Sequence, residues 1–159
     1  MSPAPARAHR AFGLAVVVVV ALDQLTKHWA LQALADGPVD LVGSLRLHLV
    51  FNDSAAFSLG GGNTTAIALI GVGLSVVLVR LGLQADAVGP AVGFGVLLGG
   101  ALGNLTDRAF RAGDGFLGGR VVDMVDLQWW PVFNLADAAL WVGIGILLLT
   151  WRPDGTPSG

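Results

Sequence analysis

The sequence contains no cysteine, no glutamate and few charges of any kind. Only 13% of its 159 residues are charged and 54% are hydrophobic, whereas soluble domains carry about 25% charged residues. The chain therefore lacks the polar surface that a soluble globule needs. The absence of cysteine excludes disulfides, thiolate catalysis and cysteine-ligated zinc. The three histidines, His9, His28 and His48, have no metal-ligand spacing, and we expect neither a metal nor a cofactor.

Four apolar runs predict an all-α membrane protein with four transmembrane helices. They cover about residues 11–31, 64–83, 87–105 and 132–151. Each is long enough to cross the hydrocarbon core, tilted or with a small mismatch. We therefore expect one integral membrane domain over residues 1–159, with residues 153–159 as a disordered tail.

The polar residues that border these runs fall at one end of the predicted bundle. In an alternating bundle, the ends of the first and third helices and the starts of the second and fourth share one side. That side carries Asp23, Lys27, Asn52, Asp53, Asn104, Asp107, Arg108, Asp123, Asn134 and Asp137. Because ionisable residues in membranes usually face the bundle interior and serve a function, this end is the predicted site.

Arginines beside the first run favour cytoplasmic termini. Arg7 and Arg10 precede that run, and cytoplasmic flanks carry the excess of basic residues. The polar end would then be extracytoplasmic. A cleavable secretory signal ending near Ala35 is the alternative, but the polar stretch from Asp23 onwards is long for a cleavage region and favours a retained helix.

Asp23 and Lys27 lie four residues apart, on one face of the first predicted helix. We expect an ion pair, with the Lys27 ammonium reaching the membrane interface, and Asp23 ordering groups of the site. Asp107 is adjacent to Arg108, and an acid beside a fixed guanidinium stays ionised, which suits bracing better than proton transfer. Asn52 can orient a peptide main chain, although an ordinary helix entry explains its segment as well.

Two further acids, Asp123 and Asp137, are candidates for chemistry. The alternation of side chains in segment 120–126 predicts a short strand. Asp123 and Asp126 then face opposite sides of the strand, so that only one of them faces the bundle. Asn134 is a candidate helix cap, which puts Asp137 about one turn inside the fourth helix. Two carboxylates that share a proton form an acid–base pair, in which one activates water and the other polarises a carbonyl. Such a pair fits peptide hydrolysis without a covalent intermediate.

Five segments resemble, in order, the signature blocks of the signal peptidase II family, the bacterial lipoprotein signal peptidases. They are Asp-Gln-Leu-Thr-Lys (23–27), Asn-Asp-Ser-Ala-Ala-Phe (52–57), Gly-Gly-Ala-Leu-Gly-Asn-Leu-Thr-Asp-Arg (99–108), Val-Val-Asp (121–123) and Phe-Asn-Leu-Ala-Asp (133–137). The resemblance implies four helices in the bacterial inner membrane, both termini cytoplasmic, and a small extracytoplasmic β-cradle.

The resemblance also implies an activity and residue roles. The enzyme would be an aspartyl endopeptidase that cuts prolipoproteins just before a cysteine carrying diacylglycerol, without a cofactor. It would work in contact with membrane lipid, be sensitive to globomycin-type inhibitors, and most simply be a monomer. The catalytic pair would be Asp123 and Asp137, and the supporting or substrate-binding residues Asp23, Asn52, Asn104, Asp107, Arg108 and Asn134.

The chain departs from the family pattern at two positions. Ser54 stands where the family usually has glycine, which puts the local loop shape in doubt if that backbone needs a positive φ. Met124 replaces a usual aromatic residue, a change expected to affect packing only.

Two other classes of function explain the sequence less well. A proton or cation relay would need acids through the whole membrane depth, whereas the second run is free of charge from residue 64 to residue 79 and the third over its whole length. An inert scaffold, with its glycines as helix contacts, leaves the convergent aspartates and asparagines unexplained. A net charge of −2 without a basic stripe excludes a nucleic-acid binder.

Overall fold

The computed structural model describes residues 3–53, 64–113 and 116–150. Along the chain lie α1 (Pro3–Ala33), β1 (Val39–Val42), β2 (Leu45–Asn52), α2 (Thr64–Gln84), α3 (Val88–Phe110), β3 (Val121–Asp126) and α4 (Leu135–Thr150). The predicted four-helix architecture with a small sheet is confirmed. Ser54 and the predicted tail 153–159 lie outside the described residues.

The helices are apolar on their outer surfaces. By length and composition, α1, α2 and α3 could each cross a membrane, whereas α4 is apolar but has only 16 residues in the described part of the chain. Large apolar side chains on them, such as Leu14, Ile70 and Leu148, are exposed. A lipid environment covers such side chains, and helices satisfy their own backbone hydrogen bonds there. The chain is thus a multi-pass membrane protein.

Several helix boundaries differ from the predicted apolar runs, and α1 already begins at Pro3 instead of near residue 11. α3 continues to Phe110 instead of ending near residue 105, because residues 104–110 contain no glycine or proline to stop it. Asp107 and Arg108 are therefore helical residues. α4 begins only after Asn134, which caps it.

α3 packs against the other three helices, and its glycines permit the close approach. A Cβ atom added at Gly95 would lie 2.6 Å from the carbonyl oxygen of Phe12 in α1. One added at Gly100 would lie 2.6 Å from the carbonyl oxygen of Ala136 in α4. The predicted role of the glycines as helix contacts is therefore confirmed.

The three strands form one antiparallel sheet in the order β1-β2-β3. Ala30 of α1 and Leu34, the residue after this helix, pack against Val122 and Met124 of β3, which attaches the sheet to the end of α1. Met124 is buried in this cluster, consistent with a packing role. Asp123 lies on the opposite face of the strand from Val122 and Met124, as the alternation predicts.

Candidate active site

The polar residues from five elements meet where the sheet joins the helix bundle. α1 contributes Asp23 and Lys27, and the other contributors are β2, α3, β3 and α4. Hydrogen bonds connect these side chains into one network, which includes Asp23, Asn52, Asn104, Asp107, Asp123, Asn134 and Asp137. Arg108 is buried close to this network. The structure thus brings together all eight predicted site residues.

A capping box at the start of α4 holds Asp137. The side-chain oxygen of Asn134 accepts a hydrogen bond from the backbone N–H of Asp137 at 2.9 Å. In return, Oδ2 of Asp137 accepts one from the backbone N–H of Asn134 at 3.2 Å. This reciprocal arrangement satisfies two N–H groups that the helix itself leaves free. It also leaves Asp137 with little freedom to rotate.

Asn134 bonds to both candidate acids. Its Nδ2 group donates to Oδ1 of Asp123 at 2.6 Å, while its backbone N–H reaches Asp137. Asn52 of β2 donates to Oδ2 of Asp123 at 3.0 Å, and Asn104 of α3 donates to Oδ1 of Asp137 at 2.8 Å. Each carboxylate therefore accepts hydrogen bonds at both oxygens, and one residue joins the two.

Burial raises the pKa of Asp123. Its side chain is 1% exposed, and loss of hydration raises the pKa to about 6, against the hydrogen bond from Asn52 and with help from the negative charge of Asp137. At neutral pH a fraction of about one tenth of this carboxyl is protonated. Asp123 can therefore hold and release a proton near physiological pH, which acid–base catalysis requires.

Lys27 is buried inside the protein, and the expectation that its ammonium extends outward to the interface is wrong. Its side chain is 0% exposed, and its ammonium lies 2.8 Å from Asp23 and 2.9 Å from Asp107. The ion pair with Asp23 is present as predicted. Asp107 and the side-chain oxygen of Asn104, at 3.0 Å, draw the ammonium inward. Three acceptors at one point outweigh the hydration that Lys27 would gain at the interface.

Asp107 does not use Arg108 as its cation, contrary to the expectation. It pairs with Lys27 and, at 2.7 Å, with Nε of Arg111, which follows one helical turn later on the same face. Its other oxygen also accepts the backbone N–H of Val122 at 3.1 Å, which ties α3 to β3. The bracing role itself agrees with these contacts.

Arg108 instead faces the two candidate acids. It is 7% exposed, and its charge acts on Asp123 and Asp137 as well as on Asp107. Its Nη1 atom is buried and has no hydrogen-bond partner among the described residues. A buried donor without a partner is costly, and Nη1 is the one such side-chain atom among the described residues.

Asp126 is separated from the site by the strand alternation. It pairs with Nε of Arg46 at 2.7 Å and accepts the backbone N–H of Gln128, also at 2.7 Å. The hydrogen bond from Arg46 lowers the pKa of Asp126. This acid stays ionised at neutral pH and is unlike Asp123 in both surroundings and behaviour.

A cavity of about 1080 Å³ opens beside the two candidate acids. Among the described residues that line it, the polar ones are Asn52, Asn104, Asp123 and Asp137. The other described residues of the wall are apolar, and three of them are tryptophans. Those before α4 are Val121, Leu127, Trp129, Trp130, Pro131, Val132 and Phe133, and those in α4 are Ala138, Leu140, Trp141, Val142 and Ile144. Such a cavity suits a mostly apolar ligand that presents a few polar atoms.

Sequence reasoning missed two contributors to this region. The apolar wall from Trp129 to Trp141 was not predicted, although tryptophan beside an apolar span is a usual interfacial signal. Gln24 was also missed, and its amide contacts both Asp23 and Asp107. Among residues 3–53, 64–113 and 116–150, no group of three histidine or acidic residues is arranged to hold a metal ion.

The chain is similar to bacterial signal peptidases in sequence. A profile of the family described as signal peptidase (SPase) II matches residues 15–152. The lipoprotein signal peptidase of Rhodococcus jostii is 44% identical over 165 residues, covering 99% of this chain and 83% of that protein. The lipoprotein signal peptidase of Mycobacterium tuberculosis is 45% identical over 150 residues, covering 93% of this chain and 73% of that protein.

Two solved structures, both described as bacterial membrane enzymes, have the same fold. One superposes with a TM-score of 0.73 at 26% identity and covers 86% of this chain and 84% of its own. The other has a TM-score of 0.69 at 27% identity and covers 89% of this chain and 92% of its own.

Proposed function

Since the chain belongs to the signal peptidase II family, we propose that it is an aspartyl lipoprotein signal peptidase. Its substrates are prolipoproteins that carry diacylglycerol on a cysteine, and it cuts the peptide bond just before that cysteine. Residues 1–159 form one membrane domain for this purpose. The observation that carries the proposal is the pair Asp123 and Asp137, which come from a strand and a helix and bond to one residue, Asn134.

The two carboxyls divide the work of hydrolysis. Asp137 takes a proton from water, whose oxygen attacks the scissile carbonyl carbon, while protonated Asp123 gives its proton to the carbonyl oxygen. The tetrahedral diol then collapses: Asp137 delivers its proton to the leaving nitrogen, the C–N bond breaks, and one diol hydroxyl returns its proton to Asp123. The pKa of about 6 supports Asp123 as the acid. No covalent intermediate forms, and both residues return to their starting states.

The surrounding residues support this chemistry. Asn52, Asn104 and Asn134 hold the carboxylates through their amide groups. Asp23 braces the start of α4 through the backbone N–H of Ala136, and Asp107 braces β3 through the backbone N–H of Val122. Nη1 of Arg108, which has no hydrogen-bond partner in the part of the chain that the structure describes, is the donor that we assign to a peptide carbonyl of the substrate.

The apolar cavity wall suits a lipidated peptide, and its position supports access from the membrane. We propose that the protein lies in the bacterial inner membrane with cytoplasmic termini and with the site near the extracytoplasmic face. Arg7 and Arg10 before the first apolar stretch support this orientation. Globomycin-type peptides would occupy the same cavity, and a monomer contains every group that the reaction needs.

A gel-shift assay with purified protein and a diacylglyceryl-modified precursor tests the proposal. The wild type should shorten the precursor, and globomycin should block this. Asp123→Asn and Asp137→Asn keep the side-chain shape but remove the acid–base group, and each should abolish cleavage while the protein still inserts and purifies.

The matched control is Asp126→Asn, because Asp126 lies on the same strand but faces Arg46. It should cleave at close to the wild-type rate. Full activity of either Asp123→Asn or Asp137→Asn would contradict the dyad. Severe loss in Asp126→Asn alone would move the catalytic role to the other face of β3.

A further inference from the structure

We propose that Lys27 is a positioning residue for this reaction, because its ammonium group fixes the side-chain amide of Asn104 and, through it, the carboxylate of Asp137. The inference rests on the proposed function and adds to it a residue outside the acid pair. Lys27 does not contact the reacting atoms, so that its effect is transmitted through Asn104.

The ammonium of Lys27 is held at three points. Its Nζ atom lies 2.8 Å from Asp23, 2.9 Å from Asp107 and 3.0 Å from Oδ1 of Asn104. An ammonium has three N–H groups, one for each acceptor. α1 and α3 therefore clamp the nitrogen, and its third bond is directed at Asn104.

The contacts of Asn104 leave its amide a single orientation. Oδ1 accepts from Lys27 and also from Nδ2 of Asn134 at 3.0 Å. Nδ2 is then the end that donates to Asp137, at 2.8 Å. A flipped amide would place its NH₂ group against two donors and its oxygen against a carboxylate, which would break three hydrogen bonds. Lys27, together with Asn134, thus fixes which end of Asn104 faces Asp137.

A purely structural role is the competing explanation, since Lys27 also neutralises Asp107 between α1 and α3. Arg111 provides the comparison that separates the two roles. It pairs with the other oxygen of Asp107 at 2.7 Å, while the cation that bonds to Asn104 is Lys27. Loss of Arg111 should therefore weaken the brace without turning the Asn104 amide.

The test uses Lys27→Met and Lys27→Gln, which are matched in size but differ in that glutamine keeps N–H donors. For each variant, kcat and KM of precursor cleavage are measured, both in the otherwise wild-type protein and in an Asn104→Ala background. We expect Lys27→Met to lower kcat by about 10²-fold, the scale of a misplaced catalytic group, with KM nearly unchanged. Lys27→Gln should retain more of kcat. Arg111→Gln should keep kcat near the wild-type value.

In the Asn104→Ala background, Lys27→Met should add little further loss, because the group through which it acts is already gone. If Lys27→Met lowers kcat by the same factor in the wild-type and Asn104→Ala backgrounds, or changes KM alone, the proposal is overturned. If Lys27→Met does not fold, Lys27→Gln is carried through the same cycle with the same criterion. Failure of both to fold, while Arg111→Gln folds, establishes a structural role and also overturns it. Cleavage by the wild type in the same assay tests the proposed function separately.

Discussion

Asp123→Asn is expected to stabilise the folded protein as the pH rises, although it removes activity. The Asp123 carboxyl is buried, and its pKa is about 6 in the folded protein against an ordinary value of 3.8. Because the folded pKa is the higher one, the stabilising contribution of this group is complete below about pH 4 and is lost as the pH rises through 6. Asparagine does not titrate, so the variant escapes this loss.

The size of the effect follows from the two pKa values. A shift from 3.8 to about 6 corresponds to about 3 kcal/mol. About 2 kcal/mol of this falls between about pH 4.5 and about pH 7.5. On the scale of soluble domains of similar size, that is about 4 to 8 °C in Tm. The asparagine must also place its NH₂ group against one of two amide donors, Asn52 or Asn134, but this cost does not depend on pH.

Thermal unfolding in detergent micelles, followed by tryptophan fluorescence, measures the difference in Tm between variant and wild type at each pH. That difference should rise steadily from about pH 4.5 to about pH 7.5. The control is Asp126→Asn on the same strand. Arg46 lowers the pKa of Asp126, so the stability it provides is present above the ordinary value and lost only below it, and this variant should show a constant deficit. If the Tm difference between Asp123→Asn and the wild type does not change with pH, the reasoning is refuted, because Asp123 would then be ionised without a cost of burial.

Two further predictions concern packing and substrate binding. Gly100→Ala would place a Cβ atom 2.6 Å from the carbonyl oxygen of Ala136 and should cost about 1–3 kcal/mol of stability. Gly145→Ala, whose added Cβ atom meets nothing within 4 Å, should gain about 0.5–1 kcal/mol. Equal unfolding midpoints for the two variants would contradict the packing argument. Arg108→Lys keeps the charge but loses the guanidinium fork, so that KM for the lipidated precursor should rise about tenfold or more; an unchanged KM would show that Nη1 does not hold the substrate.

The helices and the meeting of polar groups at one end could be predicted from the sequence because both depend on local signals. An apolar run of about 20 residues leaves a chain few alternatives to a spanning helix. Alternation of spans then assigns Asp23, Asn104 and Asp137 to one end without any knowledge of packing. The strand around Asp123 was predicted for a similar reason, since a period of two is visible in six residues.

Partner choice inside the site could not be predicted, because it depends on geometry between elements. Asp107 has Arg108 next to it in sequence, but neighbours on a helix point about 100° apart, and the contact goes to Arg111 and to Lys27 of another helix. The burial of Lys27 was missed for the same reason. A lysine near the end of a spanning helix usually reaches the interface, and only the positions of Asp107 and Asn104 reverse that preference.

The two acids of the pair make opposite demands on the fold. Asp137 sits in the first turn of α4, where its carboxylate caps a backbone N–H and faces the positive end of the helix dipole. Its charge therefore stabilises the structure that holds it. A charge on Asp123 is costly, because the loss of hydration on burial outweighs the stabilisation that the hydrogen bonds from Asn52 and Asn134 provide. Of the two acids, Asp123 is therefore the one whose surroundings favour a proton, so that the asymmetry that hydrolysis needs exists before a substrate enters. The stability lost at Asp123 is what keeps its proton available for transfer.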